Sequence, residues 1–221
     1  MNIQERMTAF AMLGAGWVMW LLIGLSVIGL AVVIERGLFL WTCRDNIPKL
    51  KRDLFDRLKH GDLAGAKQQL GSSRSFEARI VTAGLESAEA GPASAEERMA
   101  GEAAFAKLQM EKYLAFLGTV GNNAPFVGLL GTVIGVIRAF QSLESSAGQV
   151  SEGLMAEIGE ALVATAIGIL VALPAVAFYN YFQRVVKTRL SQADSLGREV
   201  LAYLKTQKPA ASMSSRPTRL E

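Results

Sequence analysis

Cysteine and histidine each occur once in the 221 residues. Cys43 alone cannot close an intramolecular disulfide or build a Cys-rich zinc site, which leaves a thiol close to a membrane surface. His60 falls at the end of a predicted helix, where a surface role is the plain reading. The chain has no G-x-x-x-x-G-K-[ST] loop to cradle nucleotide phosphates and no G-x-S-x-G elbow for a hydrolase. Energy for any work done by this protein is therefore not expected to come from ATP bound here, and no cofactor, metal or nucleic-acid partner is expected. Charge is missing from Gly14–Ile34, Tyr113–Ile137 and Ala161–Phe182. About 20 apolar helical residues cross the hydrocarbon core of a bilayer. With 51% hydrophobic residues and a mean hydropathy of +0.27, the chain is too apolar for an ordinary soluble domain. The prediction is an all-α membrane protein with three transmembrane helices.

The first run is too long for the h-region of a signal peptide, about 7–15 residues, and no small-residue cleavage site precedes Glu35 and Arg36. It is expected to remain as an anchor. Basic residues set the orientation, because Lys and Arg near span ends favour the cytoplasmic side. Apart from Arg6 and Arg138, they all lie between Arg36 and Lys112 or after Phe182, and Gln141–Glu157 has none. The organisation that follows has an external N-terminus at 1–13 and a first span at 14–34. A cytoplasmic helical segment at 35–112 leads to a second span at 113–140, an external hairpin at 141–157 and a third span at 158–182. A cytoplasmic helix at 183–206 and a disordered polar tail at 207–221 complete it.

Within the cytoplasmic segment Leu50, Leu54, Phe55 and Leu58 recur at helical spacing, and Gly61 with Asp62 marks a break and a new start. Ser94 with Glu97 reads as a capping box opening a helix that runs on without proline into the second span. Beyond the third span, Val185, Val186, Leu190, Leu196, Val200, Leu201 and Leu204 form a loose stripe. The second and third spans are thus expected to extend as long helices into a cytoplasmic bundle.

Small residues mark one face of each later span. At about 100° per residue, Gly121, Pro125, Gly128 and Thr132 share a direction, as do Ala161, Thr165, Gly168 and Ala172. Such faces let helices approach closely, and Gly131-x-x-x-Gly135 adds a second close-approach motif. Because the spans run in opposite directions through the hairpin, Thr132 and Thr165 are predicted to lie at equal depth. Each hydroxyl has a modest alternative, a bond to its own helix backbone. Glu160, at the start of the third span, is placed either at headgroup level or as an anion at the positive end of the helix dipole. It lies about 140° around the helix from Thr165, so the two cannot both point squarely into one narrow channel.

"NNAPFVGLLGTVIGVIRAF" followed by "GEALVATAIGILVALPAVAFYNYF" resembles the paired-span signature of the MotA/TolQ/ExbB proton-channel family, in its three-span ExbB/TolQ-like branch. The resemblance covers about Leu108–Arg189, and the lack of a fourth span separates the chain from a MotA proper. It implies a homopentameric ring in the bacterial inner membrane. The ring's pore, lined by the second and third spans, holds two copies of an ExbD/TolR-like single-span partner with an intramembrane aspartate. By similarity Thr132 and Thr165 face that aspartate, Glu160 is the polar glutamate near the outer end of the third span, and Gly121, Pro125, Gly128, Ala161, Gly168 and Ala172 form the pore-lining small face. Protons are the implied coupling ion, with sodium less favoured. A non-conducting membrane scaffold, whose small faces only pack helices, is the alternative from another class.

Overall fold

The structure is a computed structural model that describes Gly14, residues 16–145 and residues 152–207. The expectations for the N-terminus at 1–13, the middle of the hairpin and the tail from 208 onward lie outside the described residues. Among the described residues seven α-helices follow one another: α1 (Gly16–Thr42), α2 (Ile47–Lys59), α3 (Leu63–Ser72), α4 (Phe76–Glu86), α5 (Pro92–Glu111), α6 (Leu114–Ser145) and α7 (Glu152–Gln207), with a 3-10 turn at Ala88–Ala90. Of these, α1, α6 and α7 carry the three stretches long and apolar enough to cross a membrane. The chain is a multi-pass membrane protein.

Contacts divide the chain into two compact units, one taking residues up to Glu35 with Tyr113–Phe182, the other Arg36–Lys112 with the residues from Gln183 onward. In the first unit, side chains too apolar for water stay uncovered: Trp20 is 75% exposed, Phe126 and Leu170 68% each. Lipid or another protein surface must cover them. Besides larger side chains such as Leu22, Leu114 and Leu117, the unit buries a seam of small residues between α6 and α7. A Cβ on Gly131 would lie 2.6 Å from the Ala164 Cβ, and one on Gly135 would lie 2.4 Å from the Ala161 Cβ. Val18 also lies against Gly131, and Leu117 against Gly29, so α1 runs antiparallel to α6 along its flank. The three helices therefore alternate in direction.

The second unit is built on leucines at helical spacing. Leu50, Leu54 and Leu58 of α2 bury against Leu70, Val81, Leu85, Leu196 and Val200. Phe55, one position off that face, is 43% exposed, and the Lys59 ammonium stands over its ring. Side chains close the helix starts: Asn46, Asp62 and Ser75 accept from the backbone N–H of Lys49, Gly65 and Ala78. Gly61 takes a left-handed φ of 73° just before Asp62, where the sequence placed the break. Loss of the Ser75 cap through Ser75→Ala is expected to lower stability by about 1 kcal/mol, read from chemical denaturation of the full chain.

Two buried arginines hold helix ends in this unit. Arg189, 8% exposed, donates through Nη1 to the Cys43 carbonyl at 3.0 Å and through Nη2 to the Leu40 carbonyl at 2.6 Å, meeting the unsatisfied acceptors at the end of α1. Arg36, 3% exposed, does the same for the Gln109 carbonyl near the end of α5 and lies over the Phe39 ring.

Two expectations are corrected here. Of the two spans expected to extend as long helices, the third does so unbroken and the second does not, because α5 and α6 are separate helices. Lys112 leaves the helix with ψ 131° and Tyr113 follows with φ 65°, a conformation that costs a non-glycine residue strain. The helix expected to start at Ser94 begins at Pro92 instead. Gly91, at φ 106°, makes the turn, and proline suits the first helical position because its missing N–H is not needed there.

Candidate functional site

The seam between α6 and α7 brings the two span threonines to one height. Gly131 meets Ala164 across it, and the next residue on each helix is Thr132 and Thr165. The Thr132 hydroxyl donates to the Leu129 carbonyl of its own helix at 2.6 Å, and the side chain stays half-buried. The Thr165 hydroxyl instead crosses the seam to the Gly128 carbonyl at 3.0 Å. That bond is possible because Gly128 has no side chain. A Cβ there would lie 2.8 Å from the Ala164 carbonyl oxygen and 3.0 Å from the Thr165 Cα.

The small stripe is placed differently from the pore-lining face that was expected. Gly121, Gly128, Ala161 and Gly168 face the neighbouring helix of the same chain, and Ala172 is buried at 5% exposure. Small residues on both helices fit each other, so the stripe gives the site backbone proximity rather than an open wall. Pro125 lies half-buried and has no N–H to return to the Gly121 carbonyl, a turn earlier. Asn123 and Thr119 lie on the exposed side of α6, where Asn123 donates to the Thr119 carbonyl at 2.8 Å.

Glu160 does not join the threonines. Its Oε1 lies 3.6 Å from where a Cβ of Gly16 would stand, against the start of α1. An ion pair that sequence reasoning missed lies on neighbouring turns: Arg138 Nη2 stands 3.9 Å from Glu157 Oε1. The absent side chain of Gly14 makes room for the guanidinium, since a Cβ there would come within 2.6 Å of Arg138 Nη1. The signal was present in the sequence. Arg138 is the one basic residue at the end of the second span, and the equal-depth argument that pairs the threonines also pairs it with Glu157.

Chemically, the threonine level is polar without being ionisable. Leu114–Ile137 and Ala161–Phe182 hold no carboxylate, lysine, arginine or histidine. Among the described residues no cluster of His, Cys, Asp or Glu is placed to hold a metal ion. Both hydroxyl protons are committed to backbone carbonyls, so what each threonine can still offer a visitor is an oxygen that accepts a hydrogen bond.

Residues 72–195, more than half of the chain, match the MotA/TolQ/ExbB proton channel family, and the match takes in both threonines and the seam. The chain belongs to that family. Members of the MotA/TolQ/ExbB family are channel and transport components and not enzymes. Individual relatives carry the ExbB name. The biopolymer transport protein ExbB of Neisseria gonorrhoeae is 43% identical over 93 residues, which cover 42% of this chain and 42% of that protein. The ExbB of Aquifex aeolicus is 36% identical over 97 residues, 42% of this chain and 66% of its own length. An ExbB-like biopolymer transport protein of Helicobacter pylori is 42% identical over 78 residues, 35% of this chain and 52% of that protein. The chain spans less than two thirds of each of these relatives.

Proposed function

We propose that this chain is the channel-forming stator subunit of a proton-motive-force-driven complex in a bacterial inner membrane. In this reading a homopentamer encloses the single membrane helices of two ExbD/TolR-like partners. The N-terminus and the α6–α7 hairpin face the periplasm, as the basic residues indicate, and the second unit and C-terminus face the cytoplasm. Proton flow through the ring turns into movement of the partner and so into work on an envelope system. The relatives' names make biopolymer transport the class of work.

One observation carries the proposal: two hydroxyls stand at the same height in a stretch that supplies no proton carrier of its own. An aspartate brought there by a partner would be costly when charged, by roughly 2.5–3.5 kcal/mol on insertion scales. The threonine oxygens accept the proton of a neutral acid. They stabilise its carboxylate only if a hydroxyl leaves the carbonyl of Leu129 or Gly128, or if water enters. The acid is thus kept neutral at this level and ionises where water reaches it. Glu160 acts at the other end of the path, near Arg138 and Glu157, where it tunes the field at the entry. Sodium is the less favoured coupling ion, although a site for it needs several oxygen ligands and the two threonines leave room for that.

The packing-only scaffold is favoured by one fact, that both hydroxyls bond backbone of this same chain. Proteoliposomes separate the two readings. With chain and partner reconstituted together, an imposed pH gradient is expected to drive proton flux in sodium-free buffer. No flux with both proteins present supports the scaffold, and flux that needs sodium overturns the choice of ion.

A further inference from the structure

The second unit buries a carboxyl group that the channel reading does not use. Glu77 lies in the first turn of α4, just after the Ser75 cap, and is 2% exposed. Its Oε2 has no hydrogen-bond partner. A carboxylate gains from the positive end of a helix dipole, yet a buried one must also be paired or hydrogen-bonded. The groups that act on Glu77 come from three directions. Its own backbone N–H and the Ser75 hydroxyl favour the anion, as does the positive charge of Arg189 on α7, whereas Asp45, between α1 and α2, opposes it. Arg189 is already committed through Nη1 and Nη2 to the carbonyls of Cys43 and Leu40. Asp45 is held charged by the Ser73 hydroxyl and the Asn46 N–H, which keep it below the usual carboxylate value. Among the described residues, Arg189 and Asp45 are the charged groups that bear on Glu77.

We propose that Glu77 is a proton-binding site of this helical unit, one whose deprotonation sets a buried anion in competition with the Leu40 and Cys43 carbonyls for Arg189 and so loosens the end of α1. The proton leaves the carboxyl for water and is replaced there by nothing else. The competition follows from the geometry: held on the Leu40 and Cys43 carbonyls, the guanidinium does not reach the unpartnered Glu77 Oε2, so its remaining N–H groups can meet a carboxylate there only if it moves from those carbonyls. Burial is the largest influence and pushes the Glu77 carboxyl above its ordinary value of 4.5, against the weaker pull of Arg189. The sign follows from that direction. A carboxyl whose folded value is raised contributes stability fully present below 4.5, lost as the pH climbs through the raised value and level above it. Asp45 has the opposite sign and acts lower, losing its contribution as the pH falls below 3.8. The two windows do not overlap.

The test is amide hydrogen exchange across residues 40–46 and 76–81 of the full chain in lipid nanodiscs, from about pH 5 to 8 with intrinsic rates removed, comparing wild type with Glu77→Gln. The local opening constant of wild type is expected to rise relative to the variant by up to about tenfold per pH unit within the window and then to level off, while the variant stays flat. Parallel profiles overturn the proposal. So does a glutamine variant that is more open at every pH, because that result makes Glu77 an ionised partner of Arg189. Should Glu77→Gln fail to fold, infrared spectra of wild type decide the matter. A protonated-carboxyl band that is lost as the pH rises and is absent from Glu77→Met supports the proposal, and its absence from wild type at pH 5 overturns it.

Discussion

Thr165→Val is expected to reduce proton-coupled output to background while the chain still inserts and assembles, and Thr165→Ser is expected to keep most of it. Valine has nearly the shape of threonine and lacks only the hydroxyl. Two losses follow: the Gly128 carbonyl loses the donor now 3.0 Å away, and the seam loses the oxygen it offers a partner acid. Hydrogen bonds between membrane helices average roughly 0.6 kcal/mol, with a maximum of about 1.7. That range is too small to unfold a seam of this length. A melting temperature close to wild type with no proton flux is therefore the expected pair of results. Retained flux in Thr165→Val removes Thr165 from the site, and a collapsed melting temperature makes its role structural.

Gly128→Val is expected to fail more broadly, lowering both output and thermal stability. A Cβ at Gly128 meets backbone atoms of Ala164, Thr165 and Gly168 at 2.8, 3.0 and 3.2 Å, and no rotamer moves a backbone atom aside. Gly168 faces the same limit, 2.7 Å from the Ala124 carbonyl oxygen. The helices must separate, at a cost of about 1–3 kcal/mol or more, and the Thr165 bond to Gly128 breaks with them. Gly101→Ala provides the control. A Cβ there meets nothing within 4 Å, so this substitution in α5 is expected to stabilise by about 0.5–1 kcal/mol. Equal melting temperatures for Gly128→Val and wild type contradict the close seam.

The spans and the height of the threonines were legible because they rest on long-range regularities: charge-free runs, and symmetry about a hairpin. Where a feature depends on a partner surface, the sequence was silent. The small residues of α6 and α7 mark close approach but do not name what approaches, and the nearest candidate proved to be each other. Glu160 shows the reverse case, for its angle of about 140° from Thr165 already argued against a shared channel face, and the structure sets it against Gly16. The break before α6 carries no glycine or proline. Tyr113 takes a left-handed φ there, and no local composition predicts that. Ser94 with Glu97 gave a plausible helix start, while Gly91 and Pro92, the stronger chemical signal, lay just upstream. The bonds from Arg189 to Leu40 and Cys43 join residues more than a hundred positions apart, beyond the reach of any periodicity.

Electron cryo-microscopy of the chain purified with its single-span partner tests the central claim most directly. The account predicts a ring whose axis is occupied by partner helices, with a carboxyl group of the partner beside Thr132 and Thr165. An axis closed by the chain's own side chains, or threonines turned toward lipid, would contradict it.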